Sequence, residues 1–238
     1  YPHLFDAALA SSGVVESILN FDAFDLHIQK VVGEECKSAL KGATNEIEYT
    51  LSTNPSKVKA LFNVSSTINE GDFLYLVADA SALAVQYGYR AKVCDPMVEA
   101  QREKKSLMEA MAQYTNEFFY PIFGSWREYD REFVRNTTAT PDMAIRSWWF
   151  TKCSALAYFQ VAPHPFSIRS KKIDLGFHLE RCQDLFGKEF VMPPVDEIQT
   201  YFGGKNLQMG RIIFGNGSED PSALSNGGDL GFFNAFQM

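Results

Sequence analysis

Long apolar runs are missing from this sequence: none approaches the roughly 18 residues that a bilayer-crossing helix needs, so no membrane is expected as a partner. Positive charge is in short supply. With 22 Lys and Arg against 29 Asp and Glu, the net charge is -7, which argues against a phosphate-binding surface and so against nucleic acid as a partner. The basic run Arg102, Lys104, Lys105 reads as a solvated helix face. No two of the four cysteines fall in CxxC spacing, so neither a zinc site nor a dithiol redox motif is indicated. Internal repeats are absent too, which leaves solenoids and propellers aside. Neither an initiator Met nor a charged-then-apolar leader precedes Tyr1, so any targeting signal is expected outside this sequence.

What is present is core-forming material. Hydrophobic residues make up 46% of 238 positions, enough for one large domain or two small ones. The even count of cysteines, at 36, 94, 153 and 182, permits two disulfides; four buried free thiols are the alternative. Sequons stand at Asn63, Asn136 and Asn216, and with paired cysteines they tilt the reading toward the secretory route.

Periodicity divides the chain. Ala7 to Val15 is small and apolar and suits a short buried strand breaking into a loop. From Asp22, Ile28, Val32, Cys36, Leu40, Ala43, Ile47 and Leu51 make one apolar face of a long helix, which Gly33 and Gly42 are placed to bend. Asn69-Glu-Gly-Asp72 caps a second helix through Phe73, Leu76, Val77, Ala80 and Leu83, closed by Gly88. Leu107, Met111, Tyr114 and Phe118 continue the helical period, and Pro141-Asp142 opens a helix expected to run through Ile145, Trp149, Leu156 and Phe159. Two prolines stop it at Val161 to Pro165; a shorter helix follows over Leu175 to Phe186. Tyr201-Phe-Gly-Gly204 reads as a helix-ending turn, Arg211-Ile-Ile-Phe214 as a strand, and Ser222 to Asp229 as a polar loop.

The strand leads into Asn216-Gly217-Ser218-Glu219-Asp220-Pro221, placing a carboxylate beyond a strand's carboxyl end, the functional edge of open α/β sheets. Alone, such an Asp-Pro pair is usually a turn former. Four blocks add context: Tyr1-Pro-His-Leu-Phe with Ala-Ala-Leu-Ala-Ser-Ser-Gly13, Trp148-Trp-Phe-Thr-Lys-Cys153, Tyr201-Phe-Gly-Gly-Lys205, and Ile212-Ile-Phe-Gly-Asn-Gly-Ser-Glu-Asp-Pro221. Together they resemble the serine peptidase family of lysosomal Pro-Xaa carboxypeptidase, dipeptidyl peptidase II and thymus-specific serine peptidase.

The resemblance implies an α/β class: a partial α/β-hydrolase fold with a large all-helical cap. Residues 1–20 would follow the nucleophile elbow, 21–192 would form the cap, and 193–238 would return to the hydrolase domain. Asp220 would be the acid of a Ser-Asp-His triad. The sequence holds no G-x-S-x-G-like pentapeptide, and its last histidine is His178. The nucleophile is therefore expected upstream and the imidazole downstream, leaving an interior fragment inactive alone. Ser11 and Ser12 are not substitutes; His3, His27, His164 and His178 read as loop, surface or packing residues.

By the same resemblance Cys153 bridges Cys182, and Cys36 pairs with Cys94. Short peptides, trimmed from one end and preferentially after proline, are the implied substrates, with no cofactor and no metal. A homodimer is the partner the family suggests, and the lysosome, vacuole or extracellular space the location. Asn63 and Asn136 are the glycan candidates, whereas Asn216 reads as a backbone-shaping residue. Trp149 reads first as packing and, with Tyr158 and Ser222, as a candidate substrate contact. Two departures bear on specificity: Ser222 stands where the family has tryptophan, and Ala155 where many members are acidic. They leave room for a second function, a non-catalytic peptide-binding protein.

Overall fold

The computed structural model describes residues 4, 6–138, 144–162, 167–206 and 211–224. Four short strands accompany a predominantly helical chain among these residues. β1 (Ala8–Ser11) and β4 (Ile212–Gly215) form one parallel pair, while β2 (Ile18–Asn20) and β3 (Ala157–Phe159) form another. Between them run α1 (Asp22–Thr53), α2 (Pro55–Leu61), α3 (Glu70–Gln86), α4 (Arg90–Arg102), α5 (Leu107–Tyr114), α6 (Tyr120–Phe123), α7 (Arg131–Val134) and α8 (Ala144–Thr151). α9 (Leu175–Phe186) and α10 (Val195–Phe202) follow β3.

The stripe on α1 buries Ile28, Cys36, Leu40, Ala43, Ile47 and Leu51 against α3, α4 and α5. Gly33 breaks this helix with φ 77° and ψ 169°, a backbone region open essentially to glycine alone. Gly42 does not bend it; a Cβ there would lie 2.4 Å from Leu107 Cδ1, so the missing side chain admits α5. α3 is buried on nearly all sides. Its Asn69 cap accepts from the amides of Gly71 (2.8 Å) and Asp72 (3.4 Å). α9 spans the expected residues, and α10 stops at Gly203, whose φ of 87° is the left-handed end of a helix.

Two expectations need correcting. The segment after α8 is not one helix to Phe159: it widens into a π turn at Lys152–Leu156, and Ala157 and Tyr158 then take positive φ (59° and 52°) before β3. Pairing with β2 explains the change, because Ile18 aligns with Ala157 and Asn20 with Phe159, and Phe159 O accepts the amide of Phe21. The middle is therefore not all-helical. A second π turn, Thr115–Phe119, joins α5 to α6. The helix start expected at Pro141-Asp142, His3, His164 and the loop beyond Leu224 lie outside the described residues.

Both cysteine pairings occur: Cys36 to Cys94 ties α1 to α4, and Cys153 to Cys182 ties the π turn to α9. Closing loops of 58 and 29 residues restricts the unfolded chain by about 4 kcal/mol each in the chain-entropy account. Among the described residues no helix is long and apolar enough to cross a membrane.

Candidate active site

Register places Ala8 beside Ile212 and Ser11 beside Gly215, so β1 and β4 finish at the same edge. The loop leaving β4 turns at once. Asp220 N donates to Gly217 O (3.2 Å), Ala223 N donates to Asp220 O (3.1 Å), and a short 3-10 turn covers Pro221–Leu224. Asp220 is only 6% exposed, and its Oδ1 accepts the amide of Ser222 at 2.9 Å. Among the described residues it makes no ion pair. An acid held by a backbone amide and free of a private cation can receive a donor arriving from elsewhere, which is what orienting an imidazole requires.

Helices cover this loop. The turn Pro221–Leu224 packs on α1. His27 on α1 donates from Nε2 to Ser218 O at 3.1 Å, Arg90 at the start of α4 meets Glu219 at 3.2 Å, and Gln86 at the end of α3 donates to Ser222 Oγ at 3.2 Å. None of these three was singled out for this role by sequence reasoning. Their partners are 191, 129 and 136 residues away, and no local pattern marks such contacts.

The other candidates lie elsewhere or inside. Trp149 is 2% exposed and takes the packing alternative. Lys152 Nζ lies 4.5 Å from its ring centre and Arg181 Cζ lies 4.4 Å from it. Tyr158 is also buried; its hydroxyl donates to Glu16 O at 2.6 Å and its ring meets Phe21 edge-on. Asn63 and Asn136 are exposed.

A buried polar network, missed at the level of sequence, fills the interior beside α3. Asp72 receives Arg131 and Arg181, and Asp25 receives Arg169 through two bonds of 2.9 and 3.0 Å. Lys152 reaches Gln160 Oε1 (3.3 Å) and Tyr75 (3.4 Å). Burial pulls the Lys152 ammonium down to about 7, Asp79 opposing and Arg169 and Arg181 reinforcing the shift. Burial raises the Asp79 carboxyl, against the pull of Arg169 and Lys152. His178 stacks on Phe159, its Nε2 donating to Gln160 O at 2.9 Å, and burial followed by Lys152 holds it neutral. The available signal was spacing: Asp72, Tyr75 and Asp79 share one face of α3.

Residues 1–230 match the description of the Serine carboxypeptidase S28 family. The chain belongs to that family. It is 45% identical over 222 residues to "Probable serine protease EDA2" of Arabidopsis thaliana, covering 93% of this chain and 45% of the relative. Similarity to the thymus-specific serine protease of Mus musculus is 22% identity over 268 residues, 97% of this chain and 52% of the relative. The Homo sapiens thymus-specific serine protease shows 21% over 257 residues, 93% and 49%. This S28 chain thus spans about half the length of the curated relatives it matches.

Proposed function

We propose that the whole protein is a serine-type exopeptidase acting on short peptides, with Asp220 as the acid of its triad. The observation that carries this reading is the position of Asp220: just past the shared carboxyl edge of β1 and β4, buried, bonded to the Ser222 amide, and without an ion pair among the described residues. In an α/β-hydrolase arrangement a serine attacks the peptide carbonyl, a histidine accepts the serine proton and passes it to the leaving amine, and Asp220 holds that imidazole and stabilises its cation. The serine and histidine would come from outside these 238 residues. The helical unit over the acid loop would act as the cap that admits peptide ends, and a preference after proline follows the family. Disulfides and exposed Asn63 and Asn136 suit a glycosylated protein of the lysosome, vacuole or extracellular space.

Ser222 favours a second reading, a peptide-binding protein without catalysis, because the aromatic wall expected beside the acid is a hydroxyl here. The full-length protein separates the two. A fluorophosphonate adduct on wild type, with Asp220→Asn lowering kcat on proline-containing peptides by about 10^4, is the expected result; a folded protein that takes no label and cleaves no peptide is a binder.

A further inference from the structure

The kink in α1 leads to the acid loop. At Gly33 the helix kinks, and the carbonyls of the preceding turn flank that kink. One of them, Val31 O, accepts Arg90 Nη1 at 3.0 Å. The same Nη1 lies 3.2 Å from Glu219, the residue immediately before Asp220. Arg90 is the first residue of α4, a poor place for a cation because the helix dipole is positive there. Instead of serving its own helix, the Arg90 side chain bridges the kink and the loop. The disulfide Cys36 to Cys94 fixes α4 to α1 one helical turn beyond Arg90. His27 and Gln86 then hold Ser218 and Ser222 on either side.

We infer that Arg90, seated on the Val31 carbonyl and paired with Glu219, is a positioning residue for Asp220, so that the helical unit sets the direction of the triad acid. The inference rests on the peptidase reading above. Arg90 acts through Glu219 and the backbone of residues 216–222, with His27 and Gln86 as secondary supports. Free rotation of the loop would turn the carboxylate from its imidazole while leaving peptide-binding surfaces in place.

The test uses the full-length protein carrying Arg90→Met, Glu219→Gln, both together, or the exchange Arg90→Glu with Glu219→Arg. Each single change is expected to lower kcat about tenfold or more while KM stays within about twofold. The double variant should be no worse than the singles, and the exchange should recover part of the loss. The acidic limb of kcat/KM should move to lower pH, because a misdirected carboxylate stabilises the imidazolium less. Hydrogen exchange at residues 216–224 should quicken in both single variants. Glu219→Gln, on the loop, keeps the test sound should Arg90→Met disturb α4.

Unchanged exchange in folded single variants overturns the clamp, whatever the activity. Faster exchange with wild-type kcat and pH profile overturns the positioning role and leaves the peptidase reading intact. A wild-type protein without peptidase activity or fluorophosphonate adduct overturns the peptidase reading and, with it, the catalytic meaning of the clamp; exchange still reports the contact itself.

Discussion

The helical body and the β1–β4 pair satisfy their apolar surface in opposite ways. In the body Phe62, Phe73, Phe119 and Ile47 are fully buried, and the buried carboxylates of Asp25 and Asp72 are each paired with arginine. In the strand pair Leu9 is 72% exposed and Ile213 57%, although both occur in strands whose residues are mainly apolar. The body closes its own core, whereas the strand pair is held chiefly by its ladder and by the loop contacts to α1, α3 and α4. The helices thus close a core with residues of this chain, whereas β1 and β4 keep open faces among the described residues, and Asp220 stands just beyond those strands.

The sharpest way to break that contrast is at Asp72. Asp72→Ala leaves Arg181 buried without a carboxylate and Arg131 with only Glu180 and Asp184, and is expected to cost about 3–5 kcal/mol in urea unfolding followed by circular dichroism. A loss below 1 kcal/mol would mean the network is not what holds the body.

Next in size is a pH effect. The folded-state pKa of Lys152 is about 7 against an ordinary 10.5, so between those values the unfolded chain binds the extra proton and stability rises with pH. Below about 7 the charged ammonium carries its full burial cost beside Tyr75, Asp79, Arg169, His178 and Arg181. The rise is expected to be about 2 kcal/mol between pH 7 and 9, and Lys152→Met should flatten it; a wild-type profile in that variant would place the titration elsewhere. Smallest of all, Leu9→Ser or Ile213→Ser should change the unfolding free energy of these 238 residues in urea by no more than about 0.5 kcal/mol, because neither side chain is buried here; a larger loss in the full-length protein would show that its remaining part covers the strand pair.

Elements with a single strong period were legible in advance. The α1 stripe, the Asn69 cap, the Gly203 stop and the strand before Asp220 depend on near neighbours, and near neighbours are what a sequence displays. β2 and β3 were not legible because three residues carry no period. Their pairing also overrides the helical pattern that Ile145, Trp149, Leu156 and Phe159 suggest. The loop bearing Asp220 could be read from its glycines and its family motif. The residues gripping it could not, because His27, Gln86 and Arg90 meet it only after the chain has folded back across its length.

That long return has a consequence for how such proteins vary. β1 and β4 are neighbours in space, yet the whole helical body is threaded between Ser11 and Ile212. Loop-closure entropy grows only logarithmically, by about 0.6 kcal/mol for each doubling of the enclosed length. A pair of adjacent strands can thus host an excursion of almost any size, provided the excursion folds by its own contacts. Lengthening or trimming helices at the far end of the body leaves the strand register untouched, so the helical body can diverge while the edge that carries Asp220 stays put.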